Sequence, residues 1–175
     1  GLKVKGKDGT YTIHSKALVD AAGGFGANNE MVAKYVPRLK GFATTNHPGA
    51  TGDGLLLAEK IGAQLIQMDQ IQTHPTVVPN VGEMITEAVR GNGAVLINKE
   101  GKRFFNELET RDKVSAAILK QKDGVAYLFF DSDMQKSLKA TNNYIKQKYC
   151  LNGATLDEVA GKMGVPAAEL QASID

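Results

Sequence analysis

Between Ile71 and Ser115 the chain gathers His74, Glu87 with Arg90 three residues on, Arg103 and Arg111, set among small and apolar neighbours. A solvated surface segment scatters Lys and Glu, whereas here the cations are mostly Arg and stand beside Gly and β-branched residues. Arg offers a planar fork of N–H donors that matches a carboxylate, so the cluster reads as a receptor for an organic anion. Each member alone has a plainer reading. A His followed by Pro, as His74 is, more often makes a structural hydrogen bond than a ligand contact. Arg103 in a hairpin pairs locally, with Glu100 or Glu107. Arg111 at the start of a helix opposes the helix dipole, so something other than helix stability favours it there.

Other classes of function find little support. With 175 residues, 42% of them hydrophobic, the chain buries one real core, one domain or one domain plus a piece of another. Twenty-one Lys and Arg against 19 Asp and Glu leave a net charge of +2, with no run of like charges longer than a few residues, which argues against nucleic acid and anionic membrane as partners. Cys150 is the single cysteine and the three His are far apart, so neither an internal disulfide nor a metal-ligand cluster is expected. No apolar run approaches the length of a membrane span and no signal-peptide pattern is present. The chain starts in a strand-like run at Gly1, without Met, and is expected to be a fragment or a processed piece.

The elements that must position the cluster follow from pattern. Leu2–Gly6 and Tyr11–Ser15 alternate as a hairpin around a turn at residues 7–10. Ala17–Ala22 suits a buried strand running into Gly23-Gly24, and Asn28 or Asn29 caps a helix that Pro37 closes. Gly52-Asp53-Gly54 opens a helix to about Ile61, with Asp53 placed to cap it. Ala63–Met68 reads as a strand. Met84–Val89 starts a helix on which Glu87 and Arg90 share a face and can pair. Ala94–Asn98 and Arg103–Phe105 form a second hairpin, and Lys113–Gln121 is a helix. Val125–Phe130 is the most apolar strand; Asp131 or Ser132 caps the next helix, Thr155-Leu156-Asp157-Glu158 is a capping box, and Pro166 suits a helix start. The turn Gly23-Gly24-Phe25-Gly26 lacks the third glycine and the later acidic residue of a dinucleotide fingerprint, so taken alone it is a glycine turn after a strand.

The order of these motifs is distinctive. Ile85-Thr86-Glu87-Ala88-Val89-Arg90-Gly91-Asn92-Gly93-Ala94, preceded by His74-Pro75-Thr76 and followed by Lys102-Arg103-Phe104, Asn106-Glu107-Leu108 and Thr110-Arg111-Asp112, resembles the flavoprotein family of fumarate reductases and succinate dehydrogenases. Soluble fumarate reductases of the flavocytochrome c type are the nearest pattern, and the resemblance runs from Ala21 to the end of the chain. It implies an α+β capping, or clamp, domain joined to a partial FAD-binding domain. Residues 1–27 would belong to the FAD-binding part, 28–150 to the capping and catalytic part, and 151–175 to a helical part leading back.

The resemblance also implies roles. His74 and Thr86 would hold one carboxylate of a C4 dicarboxylate, fumarate or succinate, with Glu87 and Arg111 beside it. Arg111 would be the proton donor, with Glu87 and Arg90 as the relay that returns a proton to it. Gly23 and Gly24, in a turn the family usually writes A-T-G-G-F, and Thr51, Gly52 and Asp53 would lie against FAD. Most of the FAD site, the residues gripping the second carboxylate and the FAD glycine fingerprint fall outside these residues in the family. The expected partner is therefore the rest of the FAD-binding domain, and the chain alone is expected to catalyse nothing. A haem or an additional FMN in the parent, its electron donor and its compartment, cytoplasm or periplasm, stay open. So do two other readings: a relative such as L-aspartate oxidase, urocanate reductase or another enoate reductase, and a stand-alone binding module.

Overall fold

A computed structural model describes residues 1–175. Helix and sheet are mixed, and the chain divides into two compact units, Gly1–Ile71 and Gln72–Asp175.

The first unit opens with a hairpin of β1 (Leu2–Gly6) and β2 (Gly9–Ile13), antiparallel with Gly6 opposite Gly9. The reversal takes only Lys7 and Asp8, tighter than the four residues expected, because Gly9 takes φ +117° at little steric cost. Helix α1 (Asn29–Tyr35) is capped by Asn28, whose side-chain oxygen accepts the Met31 N–H at 3.0 Å, and a 3-10 turn at Pro37–Leu39 ends it. Helix α2 (Asp53–Lys60) starts from Gly52 at φ +81°. Asp53 makes no side-chain cap; the left-handed residue before it sets the entry instead.

Two expected strands here are irregular. Ala17–Ala22 pairs with nothing, and the Ala22 N–H goes to the Asp20 carboxylate at 3.0 Å. Ala63–Met68 follows Gly62 at φ +93° and is broken at Gln67, φ +54°. A strand needs a neighbour to take its N–H and C=O groups, and no segment of this unit offers these two an edge.

In the second unit α3 (Ala88–Gly91) is shorter than expected, because Met84 bridges Val77 and Ile85 is held by Thr76, keeping that segment extended. Strand β3 (Val95–Ile97) pairs antiparallel with β4 (Tyr127–Phe129), Leu96 opposite Leu128. The expected second hairpin shrinks to one bridge, Ile97 with Arg103. Asn98 closes the loop by accepting the Glu100 and Lys102 N–H groups, and the Leu96 N–H is taken by the Glu107 carboxylate, so the ladder cannot lengthen on that side. The sheet content is two separate two-stranded antiparallel ribbons, β1–β2 and β3–β4.

Helix α4 (Arg111–Leu119) begins two residues before the expected start, at Arg111. Then come α5 (Ser132–Ser137), capped by Asp131, α6 (Ala140–Lys146), α7 (Leu156–Met163) and α8 (Ala167–Ile174) after Pro166. The capping box is modified: the Thr155 hydroxyl accepts the Glu158 N–H, but Glu158 reaches back to Ala154 rather than Thr155. Three small cores surround β3. Ile97 packs with Met163, Val165 and Leu170; Leu96 with Val114 and Ile118; and Val89 with Ala94 and Met134. Leu96, Ile97 and Leu170 are almost wholly buried, each worth roughly 1.5–3 kcal/mol of burial. These contacts tie β3 to α4 and α8, so the start of α4, where Arg111 stands, has a rigid support.

Candidate active site

His74 lies in an irregular segment just before the Val77–Met84 bridge. Its Nδ1 is 3.3 Å from the Thr76 N and its Nε2 is 3.2 Å from Glu87 Oε1. Nδ1 also lies 3.2 Å from the Thr76 carbonyl oxygen, so it donates to that oxygen or accepts the Thr76 N–H according to the ring's tautomer. Ser115 on α4 donates its hydroxyl to the Thr73 carbonyl at 3.3 Å, fixing the residue before His74 to the helix that carries Arg111.

Arg111 is the first residue of α4, where a cation gains nothing from the helix dipole. Its guanidinium forms an ion pair with Glu87 Oε1 and donates through Nη1 to the Gln72 side-chain oxygen at 2.6 Å. At 44% side-chain exposure it stays open to a ligand. Glu87 begins α3 and faces both His74 and Arg111. Its own backbone N–H holds its carboxyl below the usual carboxylate range against the opposing effect of burial, with His74 and Arg111 adding to the stabilisation. It is therefore ionised near neutral pH.

Thr86 has its N–H on the Tyr144 hydroxyl oxygen of α6 at 3.1 Å, and its own hydroxyl accepts the Ala88 N–H at 3.4 Å. His74, Thr86, Glu87 and Arg111 thus occupy one neighbourhood. The expected pairing of Glu87 with Arg90 does not form. Glu87 is drawn to His74 and Arg111, while Arg90 turns inward, 5% exposed, and donates through Nη1 to the Glu107 carbonyl at 2.5 Å. Burial pulls the Arg90 guanidinium below its ordinary value, Arg111 adds to that, and the negative charges of Glu87 and Glu107 oppose it. His74 Nε2, Glu87 Oε1 and Arg90 Nε are buried without a well-aligned hydrogen-bond partner, so polar capacity is left over at the cluster. Arg103 pairs with Glu107, one of its two expected partners.

In the first unit the cofactor candidates come together through the backbone. Gly52 N–H donates to the Gly24 carbonyl at 3.0 Å, Ala27 N–H to Ala50 at 2.9 Å, and the Asn28 side chain to the Thr51 carbonyl at 2.9 Å. Gly23, Gly24, Thr51, Gly52 and Asp53 therefore lie on two loops knitted side by side. No atom lies within 4 Å of a Cβ placed on Gly23 or Gly24, so the main chain there is open to close approach by a flat ligand. At Gly52 a Cβ would meet Met31 Sδ at 2.8 Å, a separate, packing reason for glycine. This loop pair fits a flavin cofactor.

Sequence reasoning missed Gln72, Ser115 and Tyr144. Gln72 and Ser115 lie within the Ile71–Ser115 stretch without a signal of their own, and Tyr144 is 58 residues from the Thr86 it holds. Neither the pattern nor the spacing points to it.

The first unit carries glycine loops whose main chain is open to a flat ligand, and the second an Arg–Glu–His cluster with polar capacity to spare, features compatible with a flavoprotein. The chain belongs to the FAD binding domain family, whose model matches residues 1–175. It is 56% identical over 146 residues to a fumarate reductase (cytochrome) of Shewanella frigidimarina, covering 83% of this chain and 26% of that protein. It is 48% identical over 153 residues to an NADH:fumarate oxidoreductase of Klebsiella pneumoniae (strain 342), 87% of this chain and 16% of that protein. A urocanate reductase of Eggerthella lenta is 40% identical over 176 residues, 95% of this chain and 29% of that protein. Among solved structures, a flavocytochrome c3 fumarate reductase in its open conformation superposes with a TM-score of 0.75 at 43% identity, over 97% of this chain and 30% of that chain. The chain thus spans under a third of the length of each of these relatives. No helix is long and apolar enough to cross a membrane.

Proposed function

We propose that this chain is part of an FAD-dependent fumarate reductase and holds the half of its active site that delivers the proton. The carrying observation is the Arg111 guanidinium, partly open to solvent, backed by an ionised Glu87 that also faces His74. In this reading residues 1–27 belong with the FAD-binding part, 28–150 form the capping part and 151–175 lead back. FAD, when reduced, supplies the hydride that fumarate needs at one alkene carbon. The chain's own residues do the rest. His74 and Thr86 hold one carboxylate of the C4 dicarboxylate. Arg111 stabilises the charge that builds on the substrate as the hydride arrives, then gives its proton to the neighbouring carbon, so hydride and proton together convert fumarate to succinate. A guanidinium is a very weak acid that stays protonated at any ordinary pH, but a carbanion is a far stronger base. Glu87 takes part in returning a proton to Arg111, and Arg90, three residues on and buried against the Glu107 carbonyl rather than paired with Glu87, is the next group this reading assigns to the relay.

The loops of Gly23, Gly24, Thr51, Gly52 and Asp53 would hold part of FAD, the remainder coming from the partner portion of the FAD-binding domain. A second reading, reduction of another enoate, is favoured by the 40% identity to the urocanate reductase. The two differ in what grips the far end of the substrate.

The test is turnover of the full-length flavoprotein with reduced viologen as donor, native against Arg111→Ala. Loss of both the charge and the proton donor is expected to lower kcat by about 10⁴-fold or more with FAD still bound. Turnover on fumarate that ignores the substitution would remove Arg111 from the mechanism. Inactivity on fumarate with activity on urocanate would select the second reading.

A further inference from the structure

Glu107 is 3% exposed, and a carboxylate so deeply placed stands only if its oxygens are filled. They are. Oε1 accepts the Leu96 N–H at 2.8 Å and the Arg103 Nε–H at 2.9 Å, and Oε2 accepts from Arg103 Nη2 at 2.8 Å. Leu96 is on β3, opposite Leu128, and its N–H points away from β4, so the carboxylate closes the edge the strand leaves free. The side chain of Glu107 is thereby fastened to the most buried strand of the unit. Its main-chain carbonyl takes the only hydrogen bond that the Arg90 side chain makes, at 2.5 Å from Nη1.

We propose that Glu107 is a positioning residue for Arg90: by tying its buried side chain to β3 and Arg103, it fixes the carbonyl that anchors the inward-turned Arg90 guanidinium. This rests on the relay role given to Arg90 above. Glu107 itself reaches none of His74, Thr86, Glu87 or Arg111 and touches no substrate. Its consequence is a rigid relay: an Arg with one partner and a free Nε has several rotamers open to it unless that partner is immobile.

The test is a double-mutant cycle in the full-length flavoprotein, using fumarate turnover with reduced viologen. The variants are Glu107→Gln, Arg90→Gln and the pair. Gln keeps an acceptor for the Leu96 N–H and loses the charge that grips both Arg103 donors. Glu107→Gln is expected to lower kcat about tenfold with KM within about twofold, and to cost nothing further once Arg90 is Gln, since residues acting as a unit are not additive. Glu107→Asp, which restores the charge on a shorter stem, is expected to recover part of the loss. If Glu107→Gln does not accumulate as folded protein, Arg103→Lys loosens the same carboxylate while keeping it compensated, and is expected to show the same lack of additivity with Arg90→Gln. Native kcat in Glu107→Gln, a loss confined to KM, or losses that multiply in the double variant would overturn the positioning role alone. Native turnover in Arg90→Gln would overturn the relay, and the role of Glu107 with it.

Discussion

Truncating Arg103 to Ala strips the Glu107 carboxylate of both its guanidinium donors and leaves it only backbone N–H groups, those of Leu96 and of Glu107 itself. Burial pushes that carboxyl up, and Arg103, with the Leu96 N–H, more than reverses it, so the native group sits below the usual carboxylate range. Removing one partner of a fully buried pair costs about 3–5 kcal/mol. Arg103 is 51% exposed, however, so water reaches the gap its side chain leaves, and a loss of about 2–3 kcal/mol is expected. A group whose folded pKa is depressed contributes stability that is present above its unfolded value and lost as pH falls through the folded value. In Arg103→Ala burial dominates and the carboxyl pKa rises, so protonation relieves the variant before it affects the native chain. The stability gap should therefore be widest near neutral pH and shrink on acidification. The chain has no Trp, so urea unfolding followed by far-UV circular dichroism is the assay, with a midpoint shift of about 1 M expected at neutral pH. A gap below about 0.5 kcal/mol, or one that does not change with pH, would refute the assignment of Glu107 as a charged, buried anchor.

Two further outcomes follow from packing and from the substrate end of the cluster. Leu170 is 0% exposed against Ile97, Met163 and Val165, and Leu170→Ala is expected to cost about 3 kcal/mol, measurable as a lower thermal midpoint. Tyr144→Phe removes the acceptor of the Thr86 N–H, a loss of about 1 kcal/mol at that point. If Thr86 holds a carboxylate, KM for fumarate in the full-length flavoprotein should rise several-fold while kcat changes less, and an unchanged KM would remove Tyr144 from the binding of substrate.

Local chemistry was legible in the sequence wherever one residue type has one physical use. Asn28 and Asp131 cap helices because their short side chains reach a free N–H, and Pro166 precedes α8 because it has no N–H to lose. The hairpin of β1 and β2 and the strand at Tyr127–Phe129 followed from alternation and apolar content. The ordered motifs around His74, Glu87 and Arg111 resembled a flavoprotein, and the chain belongs to the FAD binding domain family. Partner choice was not legible, because it depends on what else folds nearby. Ala17–Ala22 and Ala63–Met68 have strand-like composition but no neighbour to take their backbone groups. Strand β3 took β4 rather than its expected hairpin partner, since a carboxylate eleven residues on filled its other edge.

The same distinction holds at the site. Residue types and order marked out an Arg-rich polar cluster between Ile71 and Ser115 whose donors match a carboxylate. Tertiary structure decided which pairs form. Glu87 has an Arg three residues away, yet its carboxylate meets Arg111, twenty-four residues on, and Arg90 is sent instead to a carbonyl in the next loop. Sequence spacing sets only which side chains share a face. Burial and the competition for a limited number of donors and acceptors set which of them bond, and those depend on the whole packed unit.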